Sequence, residues 1–155
     1  MTSVLGLLEQ SGLAIWIRES GVLYGYPLIL FLHTMGLSTV VGISAVVDLR
    51  LLGVASTIPL ASLEKLFGLL WAGFVLTAAT GTLLFVADAT RHAANPAFFV
   101  KLAFVGGGVA TVALVRRRVF RDQQRGVVLA AVSLGCWLAA IGAGRLMAYV
   151  SEYIS

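Results

Sequence analysis

The chain has 155 residues, 59 % apolar and only 12 % charged, with a mean hydropathy of +0.98. About a quarter of the residues are charged in an ordinary soluble domain, so this composition excludes one and indicates an integral membrane protein. The net charge of +4 comes without a nucleic-acid motif or a basic face interleaved with aromatic residues, which excludes nucleic acid as a partner.

The N-terminal stretch predicts an interfacial amphipathic helix over about residues 3–18. Its apolar residues alternate with polar ones such as Glu9, Ser11 and Arg18, so the apolar run is too short and interrupted to span a membrane. The stretch also lacks the basic start, continuous apolar core and small-residue cleavage site of a secretory signal. We therefore expect it to stay on the protein.

Four apolar runs follow, at 24–48, 66–89, 97–115 and 126–150. Each is long enough to cross a hydrocarbon layer about 30 Å thick. Small residues recur within them at helix-contact spacing, for example at Ser38 with Gly42 and at Ala140 with Gly144. The sequence thus predicts an all-α fold, a single membrane domain built as a four-helix bundle.

Basic residues outside the spans predict the orientation. Seven of them lie on one side, five in the segment "RRRVFRDQQR" after the third span and two, Arg50 and Lys65, between the first and second. Only Arg18 and Arg91 lie on the other side. The positive-inside rule therefore predicts a multi-pass protein of the bacterial inner membrane with both termini in the periplasm.

The single cysteine, Cys136, excludes an internal disulfide and a multi-cysteine metal site. In the segment "LGCWL" it is interpreted as a packing residue. No hydrolytic or nucleotide-binding motif is present, so catalysis by the chain alone is not expected.

Ionisable residues in a span indicate function by default, and the candidates are His33, Asp48, Asp88 and Arg145. His33 follows Tyr26 by seven residues, about 10 Å at 1.5 Å per residue, and Arg145 precedes Tyr149 by four, about 6 Å. They are predicted to share one layer of the outer leaflet. Asp48 falls at the inner end, where it is expected to pair with the basic residues nearby.

His33 has two interpretations. It is either a neutral histidine bonded to a neighbouring helix, for instance at Thr77 or Thr80, or a ligand of haem iron or copper. Arg145 in the same layer favours haem, since a guanidinium pairs with a propionate. Gly36, one turn away, is then expected to make space for a flat ligand. His92 is the other histidine, interpreted as a solvated loop residue or as a second haem ligand.

The segments "LHTMGLSTVVGISAVVDLRLLG", "WAGFVLTAATGTLLFVADA", "NPAFFVKL" and "GAGRLMAYV" resemble a family of short bacterial four-helix membrane proteins of unknown function. The segment "LHTMGLS" is also similar to the histidine helix of CopD-like copper resistance proteins and of small membrane cytochromes b. This resemblance implies that His33 is a metal ligand and that Arg145 is a structural or propionate partner. The chain departs from those cytochromes in having no further histidine within a span.

The first functional hypothesis is an electron-transfer subunit that binds one haem b and exchanges electrons with a membrane or periplasmic redox partner. The haem would be held by His33, Gly36 and Arg145, with His92 as a candidate second ligand. The second is a copper-handling protein with His33 and methionines as ligands, although the chain has only three methionines, which are few for passing copper between sites. The third is a cofactor-free structural or assembly subunit. The small-residue faces of the helices are also compatible with a homo-oligomer.

Overall fold

A computed structural model of the chain describes residues 4–122 and 125–153, and every regular element in these ranges is helical. The helices are α1 (Val4–Glu9), α2 (Gly12–Glu19), α3 (Gly21–Tyr24), α4 (Tyr26–Leu51), α5 (Leu60–Glu64), α6 (Phe67–Ala87), α7 (Ala89–Ala94), α8 (Pro96–Val115) and α9 (Val127–Tyr153). A π-helical turn, Arg116–Arg121, continues α8. The predicted all-α fold is confirmed.

Within the described residues, four stretches are long and apolar enough to cross a membrane: Tyr26–Leu51, Leu60–Ala87, Pro96–Arg121 and Val127–Met147. They coincide with the four predicted crossings, and the multi-pass membrane bundle is confirmed. The main difference is at the third crossing, where most of the predicted basic loop is helical because the π-helical turn extends α8. The side chain of Tyr149, used to set the predicted depth of Arg145, lies outside the described part.

The starts of two spanning helices follow from local chemistry. Pro27 lies in the first turn of α4 and Pro96 in the first turn of α8, where a missing backbone N–H costs no helical hydrogen bond. Asn95 caps α8, because its side chain accepts a 3.0 Å hydrogen bond from the Ala97 N–H. These signals place the helix starts at the end of the bundle opposite to the arginines.

Small residues set the closest helix contacts. The tightest pairs are α4 with α6 and α8 with α9, and α4 also contacts α9. A Cβ atom built on Gly73 would lie 3.0 Å from the Thr39 side chain, and one built on Gly108 would lie 2.7 Å from the Trp137 ring. The predicted packing role holds at Gly108, whereas the predicted pair Ser38 and Gly42 is exposed and nothing lies within 4 Å of the Gly42 Cβ position.

Apolar side chains fill two clusters along the bundle. The larger lies towards the end that carries Arg116–Arg121, here called the arginine end, and comprises Val40, Val47, Leu63, Phe67, Leu70, Val112, Val115, Val119 and Trp137. The smaller lies at the opposite end and comprises Ile17, Ile29, Leu84 and Ala87. Because Ile17 comes from α2, the N-terminal helices cover this second end, here called the capped end.

The N-terminal region differs from the single interfacial helix that was predicted over 3–18. Two helices form instead of one, because Ser11 caps the start of α2. Its hydroxyl donates to the Leu8 carbonyl at 2.6 Å and accepts from the Ala14 N–H at 3.3 Å. Ala14 and Ile17 are buried against the bundle, whereas Leu7 and Trp16 are 58 % and 54 % exposed. The segment therefore packs on the bundle through one face and presents an apolar face outward.

Charged side chains of the N-terminal helices form hydrogen bonds with the end of α6 and the start of α7. The Arg18 guanidinium donates to the Ala87 carbonyl at 2.9 Å and to the Glu9 carbonyl at 2.8 Å. The Glu9 carboxylate accepts a 2.6 Å hydrogen bond from the Thr90 N–H. Backbone groups at the end of α6 and the start of α7, which have no helical partner, are satisfied in this way.

Candidate functional site

His33 lies on the buried face of α4 and contacts α6. Its Nδ1 is 3.0 Å from the Thr77 carbonyl oxygen and 3.2 Å from Thr80 Oγ1, so both predicted contacts are present. A carbonyl oxygen only accepts, so Nδ1 carries the proton and donates. The lone pair of the neutral ring is then on Nε2, which has no hydrogen-bond partner among the described residues.

One edge of the His33 imidazole packs closely against Gly81 of α6. A Cβ atom built on Gly81 would lie 3.0 Å from His33 Cε1, so a side chain there would press on the ring. The half-buried imidazole is therefore fixed by a glycine contact on one side and by the hydrogen bonds from Nδ1 on the other. This arrangement orients a histidine so that one nitrogen is available.

Gly36 serves helix packing in the structure. A Cβ atom built on it would meet Thr77 Oγ1 and would come within 2.8 Å of the Gly73 carbonyl oxygen. The space beside Gly36, expected to receive a flat ligand, is occupied by α6. The physical reason is the absence of side chains at both Gly36 and Gly73, which lets the two helix backbones approach closely.

Lys101 is a cationic residue of the same layer as His33 and was not predicted as part of the site. It lies on α8, is half-buried and is within electrostatic range of the imidazole. The end of its side chain runs along α9, since a Cβ atom built on Gly144 would lie 3.9 Å from Lys101 Nζ. Lys101 lies inside the third apolar run, and an ionisable residue within a predicted span is the same sequence signal that identified His33.

Lys101 has no carboxylate within ion-pair distance among the described residues, where the one ion pair joins Arg91 and Asp88 at 3.6 Å. An ammonium group inside a membrane span usually faces an anion, a carbonyl or water. The layer around His33 therefore offers an available nitrogen and an unpaired positive charge, contributed by α4 and α8.

Arg145 faces away from this layer, and the expectation of a buried guanidinium at His33 is wrong. It is exposed and shares a helical face with Leu138 and Ile141, which are 69 % and 40 % exposed. The neighbouring residue Gly144 faces Lys101. Because successive residues turn by about 100° around a helix of 3.6 residues per turn, Arg145 points outward.

His92 is a half-buried residue of α7 rather than a solvated loop residue. Its Nδ1 donates to the Asp88 carbonyl at 2.6 Å, and its ring lies 6.3 Å from the Phe85 ring and 5.8 Å from the Phe98 ring, centre to centre. His33 contacts α6 at Thr77, Thr80 and Gly81, below Phe85. The two imidazoles thus belong to different levels, and no contact joins them in the described part of the chain.

Asp48 also differs from its expected interfacial ion pair. The residue is 2 % exposed and makes no ion pair with any described residue. Arg50, one of the expected partners, instead donates from Nε to the Ile58 carbonyl. Because Asp48 continues the buried face of α4 formed by Val40, Ser44 and Val47, its carboxyl group points into the bundle.

Metal-binding clusters are not seen: no group of three or more His, Cys, Asp or Glu side chains converges within residues 4–122 and 125–153. Cys136 is a free, half-buried cysteine that faces Gly107. Comparison with protein-family models, curated proteins and solved structures finds no match for this chain. Functional inference therefore depends on the residues themselves.

Proposed function

We propose that this protein is a membrane-embedded electron-transfer subunit that holds one haem b near the capped end, with His33 as the axial ligand. The observation that supports the proposal is the His33 geometry. Nδ1–H donates to the Thr77 carbonyl, and Nε2 has no partner in the part of the chain that the structure describes. Metal-ligating histidines share this arrangement, since their second nitrogen is usually fixed by a backbone carbonyl or carboxylate. Bound haem would supply reversible one-electron transfer at its iron.

Lys101 is the proposed propionate partner in place of Arg145. It is half-buried, carries no ion pair with any residue in 4–122 or 125–153, and lies within electrostatic range of His33. A haem brings two carboxylates, and one of them would neutralise this ammonium group inside the membrane, where an unpaired charge is costly. The residues therefore offer one axial ligand and one propionate contact, while the space beside Gly36 is filled by α6. His92, held at another level, is not assigned to the iron.

The orientation proposed for this subunit follows from the charges at its two ends. The arginine end carries Arg116, Arg117, Arg118, Arg121 and Arg125 together with Arg50 and Lys65. By the positive-inside rule, this charge supports a cytoplasmic location for that end. The His33 layer then lies in the outer leaflet of a bacterial inner membrane. Electrons would be exchanged with a periplasmic or membrane partner at the capped end.

The test is the absorption spectrum of the purified protein after expression with sufficient haem. We expect a Soret band in the wild type, loss of the band in His33→Ala and its retention in His92→Ala. The second variant is a matched control because it removes the other half-buried imidazole of the chain. Purified wild-type protein without a Soret band and without iron would contradict the proposal.

A cofactor-free structural subunit is the second candidate, and one observation favours it. His33 already joins α4 to α6 through the Thr77 carbonyl and Thr80 Oγ1, and Lys101, five residues into α8, can extend its ammonium towards the membrane surface. His33→Ala would then lower thermal stability while a partner captured in mild detergent stays bound. Copper handling is less favoured, because Met35 is 49 % exposed.

A further inference from the structure

Among the described residues, four polar side-chain atoms are buried without a hydrogen-bond partner in the half of the bundle towards the arginine end. They are Ser44 Oγ and Asp48 Oδ2 on α4, and Ser133 Oγ and Trp137 Nε1 on α9. Each of these residues is at most 2 % exposed. Buried polar groups are nearly always paired with protein or with an ordered molecule, so four in one region indicate an occupant.

The four atoms belong to two pairs across one helix contact. Ser44 and Asp48 are one turn apart on α4, as are Ser133 and Trp137 on α9. The Ser133 hydroxyl approaches the Asp48 carboxyl without reaching hydrogen-bond geometry. Because α9 runs opposite to α4, Trp137 lies on the Ser44 side of that contact. The hydroxyls and the carboxyl therefore face one region between the helices.

A small cavity opens beside this cluster. Ser44, Val47 and Asp48 line it from α4, and apolar side chains line the rest, namely Phe67, Leu70, Val112 and Val115. Its volume is about 10 Å³, close to the space that the centre of one water molecule requires. The cavity thus has room for a single small occupant and offers polar contacts on the Asp48 side alone.

No described cation reaches the Asp48 carboxyl. The side chains that face it from α6, α8 and α9 are uncharged, and the π-helical turn keeps Arg116 above the Phe67 ring, 5.8 Å from its centre. Arg50 Nε donates a hydrogen bond to the Ile58 carbonyl in the loop after α4. A bare carboxylate in such surroundings would cost several kcal/mol, so a positive ion bound at the carboxyl would stabilise this part of the bundle.

We propose that Asp48 forms a single-ion site for one monovalent cation, either Na⁺ or a proton. Na⁺ would take oxygen ligands from Asp48, Ser44 and Ser133, and a proton on the carboxyl would be donated to one of the same hydroxyls. The site is separate from the proposed haem site, since Asp48 follows His33 on α4 by fifteen residues, about 22 Å along the helix. It does not depend on haem being bound.

The first experiment measures the thermal unfolding midpoint of the full chain in detergent, in NaCl or choline chloride at equal ionic strength and over a range of pH. If Na⁺ is the ligand, the midpoint rises saturably with Na⁺. If the proton is the ligand, the midpoint in choline falls as the pH rises and Na⁺ adds nothing. Asp48→Asn is expected to remove the response to Na⁺ or to pH. The matched control is Asp122→Asn, which changes an exposed carboxylate at the arginine end and should keep the wild-type response. Identical responses of wild type and Asp48→Asn would overturn the proposal.

A second experiment keeps the proposal testable if Asp48→Asn does not fold. Ser44→Ala and Ser133→Ala each remove one hydroxyl, and each is expected to weaken the effective affinity for the cation by at least about tenfold, as loss of supporting groups does at metal sites. Infrared spectra of the wild type in choline at neutral pH report the carboxyl C=O band if a proton is bound. Unchanged cation response in both serine variants, together with no such band, would contradict the site.

Discussion

Gly36 of α4 lies directly against Thr77 of α6, and the same threonine offers its carbonyl oxygen to His33 at 3.0 Å. Thr77 therefore contributes both to the close contact between the two helices and to the orientation of the imidazole. A change at Gly36 should consequently affect stability and the His33 site together.

Gly36→Ala is expected to destabilise the protein by about 1–3 kcal/mol, the usual cost of overpacking. The added methyl group meets Thr77 Oγ1 and lies 2.8 Å from the Gly73 carbonyl oxygen, and backbone cannot move aside cheaply. Gly42→Ala on the same helix is the matched control, because nothing lies within 4 Å of its Cβ position. Thermal unfolding in detergent measures both variants, and equal midpoints would refute this packing account.

The crossings were predictable from sequence, whereas the faces of the helices were not. Hydrophobic length defines a span, and the four apolar runs match the four helices. A helix that is apolar on all sides gives no sign of which side packs inward. Gly144, Gly36 and Gly73 decide that here, and their contacts only become visible when the helices are brought together.

The two wrong expectations at charged residues have this same cause. Arg145 was predicted to lie beside His33 from its depth in the membrane alone. Its angular position on α9 instead directs it outward, and Gly144 is the residue that faces Lys101. Depth alone also put Asp48 at an interface, although its register with Val40, Ser44 and Val47 carries it into the core. The contact of His33 with Thr77 and Thr80 was predictable, since a buried polar group needs a partner at its own level.

Arg18→Gln is expected to loosen the capped end without unfolding the bundle. The change removes charge-assisted hydrogen bonds to the Ala87 and Glu9 carbonyls, each worth about 1.5–3 kcal/mol when made by a charged group. Hydrogen exchange should then become faster in α1 and α2 and stay unchanged in α6 at Gly73. Arg91→Gln, which breaks only an exposed ion pair, is the control and should leave exchange in α1 and α2 as it is.

The proposed orientation predicts which loops are reached from outside a bacterial cell. In a Cys136→Ser background, Thr90→Cys in α7 should react with a membrane-impermeant maleimide on intact spheroplasts. Thr57→Cys, in the loop between α4 and α5, should react only after the membrane is opened. Both positions are exposed, so access rather than burial decides the result. The reverse pattern would invert the topology and place the His33 layer towards the cytoplasm.

Lys101→Met tests the proposed propionate partner through a redox readout. If Lys101 lies beside a haem held by His33, loss of its positive charge favours the oxidised, more positive iron, and the midpoint potential should fall by on the order of 60 mV, a tenfold change for one electron. Lys101→Arg should restore most of the potential by keeping the charge. Arg145→Gln should leave the potential unchanged, because Arg145 faces outward with Leu138 and Ile141. A shift in the Arg145 variant with none in Lys101→Met would return the propionate role to Arg145, and would require a rotation of α9 that separates Gly144 from Lys101.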